Sequence, residues 1–245
     1  MAEAKNTAEK KEAFIDALSS FIQRRRKIIL ILILIVVAAL VVLVIALQVR
    51  KGRQEASFVQ IEEVQKKFAE WLQIKDEAEG EGAAEVALTQ ANSLEEEVLR
   101  GAREVIAEYG DLHSGSRATD ITASVLYRNK EFGKAAETWT ALADSPTAGY
   151  LAPFALCNAA AAWEEAGKPE AAAEAFGAVL ARFSASFPDI PRVLFSLGRI
   201  AEDREAYDEA KVFYDRVIDE HPGSNWTKLA YNRIIFLGIQ NKIKK

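Results

Sequence analysis

The chain has 245 residues, 50% of them hydrophobic, and a formal net charge of −5. This length and apolar content suffice for a globular domain with an accessory segment, and the net acidity argues against nucleic acid as a partner, since binding it requires basic patches. The single cysteine, Cys157, excludes an internal disulfide framework.

Residues 1–27 form a basic N-terminal segment, with seven Lys or Arg against four Asp or Glu. Its apolar residues recur at helical spacing: Phe14, Leu18, Phe21 and Ile22. They precede the basic run Arg24–Lys27. The pattern indicates a short basic amphipathic helix at a membrane surface; the alternative is a frayed tail that leads into the next segment.

Residues 28–49 are predicted to form a transmembrane helix. Ile28–Leu47 contains only Ile, Leu, Val and Ala, and a helix of about 20 residues spans roughly 30 Å, the thickness of a bilayer's hydrocarbon core. The apolar part of a cleaved signal peptide is usually about 7–15 residues and ends in an A-x-A-like site. The run here ends without such a site, so we expect a span that is retained.

Basic residues on both sides of the span bear on its orientation. Arg24–Lys27 precede it, and Arg50, Lys51 and Arg53 follow it. The positive-inside rule favours a cytoplasmic N-terminus. We therefore expect a single-pass protein of the inner (cytoplasmic) membrane, with residues 54–245 outside the cytoplasm, which is the periplasm if the cell is a two-membrane bacterium.

Residues 50–115 contain two amphipathic stretches on either side of a polar, glycine-bearing linker at Lys75–Gly82. The first has the apolar residues Phe58, Ile61, Val64, Phe68, Trp71 and Leu72; the second has Val86, Leu88, Ala91, Leu94, Val98, Ala102, Val105 and Tyr109. They predict a degenerate first helical hairpin, with a coiled-coil stalk as the alternative. Only Gly52 interrupts the path from the span, which leaves open a helix continuous with it.

Residues 116–224 repeat one two-helix pattern three times, with units that begin at Ser116, Pro153 and Pro191. A small residue recurs in both helices of each unit and a bulky one follows a turn later: Ala123, Ala135 and Trp139; Ala160, Ala172 and Phe176; Gly198, Ala210 and Tyr214. Small residues suit a close crossing of two antiparallel helices, and the bulky residue fills the space toward the next helix.

This pattern resembles the tetratricopeptide repeat (TPR), a helical hairpin of about 34 residues. Residues 225–245 are predicted to form a capping helix and a basic tail with Lys242, Lys244 and Lys245. A cap is expected here because the last repeat of a solenoid otherwise exposes its apolar face. The predicted fold is all-α: one N-terminal transmembrane helix followed by a TPR-like α-solenoid of helical hairpins.

The sequence contains no motif of an enzyme. G-x-S-x-G, a glycine-rich phosphate loop and H-E-x-x-H are all missing from it, and its acidic pairs are typical of solvated helix faces. His113 and His221 have no cysteine or second histidine at ligand spacing. We expect no catalytic, cofactor or metal site and no small-molecule substrate.

The resemblance implies a groove lined by the first helix of each hairpin. The residues on that face are Arg117, Asp120, Ser124, Tyr127 and Arg128; Phe154, Cys157, Asn158, Glu164 and Glu165; Arg192, Phe195, Ser196, Arg199 and Glu202. Six of them are the candidate contacts for a protein or an extended polypeptide: Tyr127, Arg128, Asn158, Arg192, Phe195 and Arg199. Tyr and Arg are enriched among interface hot spots; the alternative is that the aromatic side chains pack between repeats.

The whole layout resembles the ancillary TPR subunit of the Sec translocon. The resemblance implies a non-catalytic scaffold that holds periplasmic chaperones or emerging chains near the translocation channel. Two other functions fit the same sequence: a scaffold for outer-membrane assembly or cell division, and the regulatory anchor of an enzyme.

Overall fold

The structure, a computed structural model, describes the backbone of residues 2–78, 80 and 85–243, and the side chains from residue 23 onward within those ranges apart from 29 and 33. Regular secondary structure in these residues is entirely α-helical, which confirms the predicted fold class. The side chains of the predicted apolar face at residues 14–22, residues 79, 81 and 82 of the glycine-bearing linker and the last two lysines lie outside the described residues, and the first four residues of that linker, 75–78, belong to a helix. The helices are α1 (Ala2–Ala78), α2 (Glu85–Tyr109), α3 (His113–Arg128), α4 (Phe132–Asp144), α5 (Leu151–Glu165), α6 (Pro169–Phe183), α7 (Ile190–Asp203), α8 (Tyr207–Glu220) and α9 (Asn225–Ile239).

The chain divides into two units, Met1–Glu55 and Ala56–Lys245. Within the first unit, every described side chain from residue 23 to residue 55 is exposed, including the apolar run that begins at Ile28. By length and composition alone, this run makes α1 the one helix among the described residues that could cross a membrane. Gly52 does not end the helix, because α1 continues through it.

The second unit begins with a core shared by three helices. Ile61 and Trp71 of α1 pack with Val98 and Val105 of α2 and with Ile121 of α3. Gly101 of α2 permits a close approach to α1, since a Cβ there would lie 2.9 Å from the Val64 side chain. The predicted pair of amphipathic stretches is therefore packed together against the first repeat.

Three hairpins follow, α3–α4, α5–α6 and α7–α8, and the second helix of each packs on the first helix of the next. One continuous hydrophobic cluster extends from Ala123 to Ile243. The small and bulky residues of the repeat pattern are all buried: Ala123, Ala135, Trp139, Ala160, Ala172, Phe176, Gly198, Ala210 and Tyr214. α9 packs on both α7 and α8.

Proline marks the start of several of these helices. Pro169 is the first residue of α6, and Pro191 lies in the first turn of α7. A first-turn proline costs no helical hydrogen bond and already has the helical φ angle. α9 begins differently: the Ser224 hydroxyl accepts a hydrogen bond from the backbone N–H of Trp226 at 3.2 Å, a standard N-terminal cap.

The ends of α3, α5, α7 and α9 share one backbone turn. In each, a residue with positive φ follows the helix, and the N–H of the next residue bonds to the carbonyl five positions earlier, the geometry of a Schellman motif. The left-handed residues are Lys130 (φ 63°), Gly167 (φ 70°), Glu205 (φ 61°) and Asn241 (φ 56°). After Lys130, Gly167 and Glu205 this turn leads directly into the second helix of the hairpin.

Gly198 provides the tightest contact within the last hairpin. A Cβ at Gly198 would lie 2.5 Å from Cε1 and 2.8 Å from Cδ1 of Tyr214. The tyrosine ring is fully buried, and its hydroxyl donates a hydrogen bond to Glu202 at 3.0 Å. The nearest atoms to this glycine therefore belong to a side chain that is fixed at both ends.

We expect Gly198→Ala to lower the free energy of unfolding by about 1–3 kcal/mol, because the new methyl group overpacks a ring that has no room to move. Thermal unfolding of the full-length protein in mild detergent, followed by circular dichroism, measures this loss. Gly177→Ala is the matched control, since nothing lies within 4 Å of its Cβ position. It should raise stability by up to about 1 kcal/mol through helix propensity; equal losses in the two variants would contradict this account of Gly198.

Candidate protein-binding face of the helical repeats

The face predicted from the first helices of the hairpins carries side chains in three different situations. Some bind α1, some pack between repeats, and some are exposed. α3 illustrates the first situation: Arg117 donates to Gln65 and Arg128 pairs with Asp76, both of which belong to α1. These two cations of α3 are therefore already engaged in contacts with α1.

Tyr127 lies half-buried inside the first hairpin. Its ring contacts Phe132 and Trp139, with centroids 5.2 Å and 5.8 Å away. Burial raises the pKa of Tyr127, and the negative charges of Glu165 and Glu164 raise it further. Trp139 is held in turn, because its indole N–H donates to Asp120 at 2.7 Å.

Phe195 is also a packing residue. Its ring lies 5.4 Å from that of Tyr214 and 5.2 Å from that of Trp226, so it joins α7 to α8 and to α9. Arg192, one turn earlier, pairs with Asp189 at the start of the same helix. Tyr127 therefore packs within its own hairpin, and Phe195 packs between the last hairpin and α9.

Arg199 belongs to a ladder of ion pairs between first helices. Arg199 of α7 pairs with Glu164 of α5, and Arg233 of α9 pairs with Glu202 of α7. The repeat register places Glu202 at the position of Glu164, 38 residues later, and Arg233 at the position of Arg199, 34 residues later. The same bond therefore recurs from one hairpin to the next.

Glu202 is the best-shielded member of this ladder, with a side chain only 9% exposed. It accepts hydrogen bonds from the Arg233 guanidinium through both carboxylate oxygens and from the Tyr214 hydroxyl. Burial raises the pKa of Tyr214, and the charge of Glu202 raises it further, so the phenol remains a donor. The hydrogen bond to Glu202 likewise raises the pKa of Arg233.

Cys157 does not line the face, contrary to the prediction. It is buried in the main hydrophobic cluster. Burial raises the pKa of its thiol to about 11, against the opposing effect of Arg192. α5 packs against both α4 and α6 and is apolar nearly all round. Cys157 therefore lies in the core, although the next residue, Asn158, is exposed.

The exposed aromatic part of the face lies in a strip along α5. Tyr150, Phe154 and Asn158 recur every four residues and thus lie on one side of the helix. Tyr150 and Phe154 are 65% and 49% exposed. Each is supported by another ring at 5.0 Å, His113 for Tyr150 and Phe187 for Phe154. The repeat register maps Phe154 and Asn158 to this face, whereas Tyr150 lies before the repeat start and carries no such signal.

Comparison of the sequence with known proteins identifies the repeat. A family model for the tetratricopeptide repeat matches residues 164–225, from the end of α5 to the start of α9. A TPR repeat-containing protein of Treponema pallidum (strain Nichols) is 29% identical over 122 residues, which are 50% of this chain and 50% of that protein. The chain therefore spans about half the length of this curated relative. The crystal structure of BtubC from P. vanneervenii is 20% identical, with a TM-score of 0.45 and coverage of 69% of this chain and 72% of that chain.

The family match and the Treponema relative show that the chain contains tetratricopeptide repeats. Repeats of this class stack helical hairpins into extended surfaces that bind other proteins. The repeats thus imply a scaffold for protein–protein interaction.

We expect Arg233→Ala to cost about 1–3 kcal/mol of folding stability, because it leaves the shielded carboxylate of Glu202 without its counter-ion. The value is set below that of a fully buried pair, since the Arg233 side chain is 41% exposed. Urea denaturation of the full-length protein measures the change. Arg216→Ala is the control: its pair with Glu220 lies within α8 on the surface and is worth about 0.5 kcal/mol or less. Similar losses in both variants would show that the ladder contributes nothing beyond a surface pair.

The raised pKa of Cys157 predicts a pH dependence. The folded chain binds the thiol proton more tightly than the unfolded chain does, so this contribution to stability is complete below pH 9 and is lost as the pH rises toward about 11. Urea denaturation at pH values below, within and above this interval should show the fall in the wild-type protein. Cys157→Ala lacks the thiol and should lack this component; identical pH profiles would contradict the burial of Cys157.

Proposed function

We propose that this chain is a single-span scaffold of the cell envelope, whose tetratricopeptide repeats hold other proteins beside the membrane. The observation that carries the proposal is the apolar run that begins at Ile28, exposed at every described side chain. Burial of apolar surface is worth roughly 25 cal/mol per Å², so a helix of this composition is stable in a bilayer and unfavourable in water. The second unit, in contrast, buries a continuous core of its own.

The basic residues at both ends of the run support the orientation. Four adjacent cations, Arg24–Lys27, precede it, and three follow within a few residues. By the positive-inside rule, the end with more cations, Arg24–Lys27, stays in the cytoplasm. The protein is then an inner-membrane protein whose repeats, from α2 onward, lie in the periplasm.

The strip along α5 is the proposed contact for partner polypeptides. Phe154 supplies an exposed aromatic ring, and Asn158 supplies an amide one turn later. Arg199 of α7 lies on the same predicted face and is exposed, but its guanidinium already pairs with Glu164 and Asp203. An apolar anchor flanked by hydrogen-bonding groups suits an extended or partly unfolded chain. The role requires no catalysis, no cofactor, no nucleic acid and no small-molecule substrate.

The layout of a short cytoplasmic N-terminus, one span and a repeat domain supports a more specific proposal. It resembles the layout of the ancillary TPR subunit of the Sec translocon. In that role the repeats would hold periplasmic chaperones or emerging chains beside the translocation channel. The identity of the partner distinguishes this role from the alternatives, which are a scaffold for outer-membrane assembly or cell division and the anchor of an enzyme.

One labelling experiment tests orientation and partner together. Phe154→Cys, in a Cys157→Ala background, receives a membrane-impermeant maleimide that carries a photo-crosslinker, applied to intact spheroplasts. We expect labelling without membrane rupture, because the residue is extracytoplasmic, and crosslinks on irradiation to translocation-channel subunits, periplasmic chaperones or emerging chains. Mass spectrometry identifies the products.

Glu170→Cys in the same background is the control, since this residue is exposed at the start of α6 and lies off the α5 strip. It should label equally and crosslink to none of these partners. Labelling of both positions only after rupture would reverse the orientation. Crosslinks from position 154 to outer-membrane assembly or division proteins, without the channel, would exclude the translocon role and leave the scaffold. Identical products from the two positions would exclude the α5 strip as the contact.

A further inference from the structure

α9 occupies the position of the first helix of a fourth hairpin. It packs on α8 and α7 as α5 packs on α4 and α3. Its Arg233 pairs with Glu202 just as Arg199 of α7 pairs with Glu164 of α5. It ends, at Asn241, in the left-handed turn that ends α3, α5 and α7.

The second helix of that hairpin is missing from the described residues. After the three earlier turns a helix begins within a few residues and covers the first helix. Beyond Asn241 the described residues, up to Ile243, form no helix. The position that α8 fills beside α7 is therefore open beside α9 in the part of the chain that the structure describes.

The side chains of α9 that face this position are apolar and exposed. In α7, Leu197 and Ala201 are 6% and 0% exposed. Their equivalents in α9, 34 residues later, are Tyr231 and Ile235, which are 51% and 58% exposed. Ile239, one turn further, is 75% exposed. A capping helix of a solenoid ordinarily presents a polar outer face, and this one does not.

Two of these exposed residues, Ile235 and Ile239, line a groove between α8 and α9 of about 530 Å³. Ile234, Ile235 and Ile239 supply its apolar wall, Gly238 leaves space in it, and Lys211 of α8 stands at its edge. Val212 of α8 adds a further exposed apolar side chain. The groove continues the line of contact that joins α7 to α8, which favours a helix as its occupant.

Charge selects among the possible helices. On the α9 side of the groove, residues 225–245 contain five Lys or Arg and no Asp or Glu, whereas α8 on the other side contains five Asp or Glu and two Lys or Arg. Lys228 and Lys242 are exposed on this segment. A second copy of α9 would bring two cationic segments together, and an acidic helix would meet opposite charge. Complementary charge favours the acidic partner.

We propose that the groove between α8 and α9 binds an acidic amphipathic helix of another protein, which packs as the second helix of the fourth hairpin. The apolar face of that helix meets Tyr231, Ile235 and Ile239, and its acidic flank meets Lys228. Asn232 stands where α7 has Gly198, so the partner carries a small residue where α8 carries Tyr214. This surface belongs to α8 and α9 and is independent of the α5 strip.

A peptide with the sequence of α8 can test whether the groove binds such a helix. Residues 207–220, the sequence of α8, contain five Asp or Glu and two Lys or Arg in the pattern of a second helix. The peptide used has this sequence with Tyr214→Ala, carries a fluorophore, and is titrated with the full-length protein in non-ionic detergent. Fluorescence anisotropy should show saturable binding, weaker for the peptide that retains the tyrosine and none for a scrambled peptide of the same composition.

Ile235→Asp should weaken the binding roughly ten- to hundredfold, because it places a carboxylate in the apolar wall opposite an acidic helix. Ile239→Asp is the second variant, and both side chains are exposed, so unchanged thermal unfolding should show that the fold is intact. The Phe154→Cys variant should bind the peptide as the wild type does, which separates this surface from the proposed function. Equal binding to wild type and to both aspartate variants, or no binding to any, would overturn the proposal.

Two other occupants have their own signatures, and either would overturn the proposal. A second copy is indicated if sedimentation shows concentration-dependent self-association that Ile235→Asp abolishes. A lipid surface is indicated if the protein in detergent binds vesicles of anionic phospholipid, does not bind vesicles of zwitterionic phospholipid, and loses this binding in Ile235→Asp. We expect neither dependence on Ile235.

Discussion

The fit of a large side chain over a very small one in the last hairpin is the contact on which the end of the repeat domain depends. Tyr214 lies over Gly198, and its position brings the hydroxyl to Glu202. Glu202 then binds Arg233, which holds α9 against the last hairpin. A single close contact thus fixes the distance between two helices and also aims the polar end of the ring at the joint with the next helix. Interiors packed at crystal-like density transmit such constraints because they have little free volume.

The ion-pair ladder limits how far one hairpin can slide along the next. Hydrophobic contacts between alanine-rich helices restrict the distance between hairpins but tolerate sliding. A bidentate pair between an arginine and a shielded carboxylate tolerates little displacement. The bidentate pair of Arg233 with Glu202 therefore sets the register of α9 on α7, and a single bond from Arg199 to Glu164 links α7 to α5. The predicted binding cation Arg199 has this structural role as well as its place on the face.

The sequence predicts the all-α class and the buried set of small and bulky residues, because each follows from a local pattern that recurs at fixed spacing. Three features escaped it for identifiable reasons. Cys157 was assigned to the face because α5 is apolar nearly all round, and such a helix gives no signal for its rotation. The left-handed turns at Lys130 and Glu205 lack the glycine or asparagine that usually marks them. The ladder is encoded in the register, since Glu164 and Glu202 align, but an isolated acid on a helix is ordinarily a solvated residue.

The contacts among α2 to α9 join helices that are neighbours or next neighbours along the chain. Such a topology has low contact order, and low contact order is associated with fast folding. Each hairpin closes through a turn of a few residues, so it can form as soon as its own two helices are available. Loops of that length close at a small entropic cost. A chain delivered from one end through a narrow passage could therefore acquire its structure in the order in which it is delivered, each hairpin serving as the template for the next.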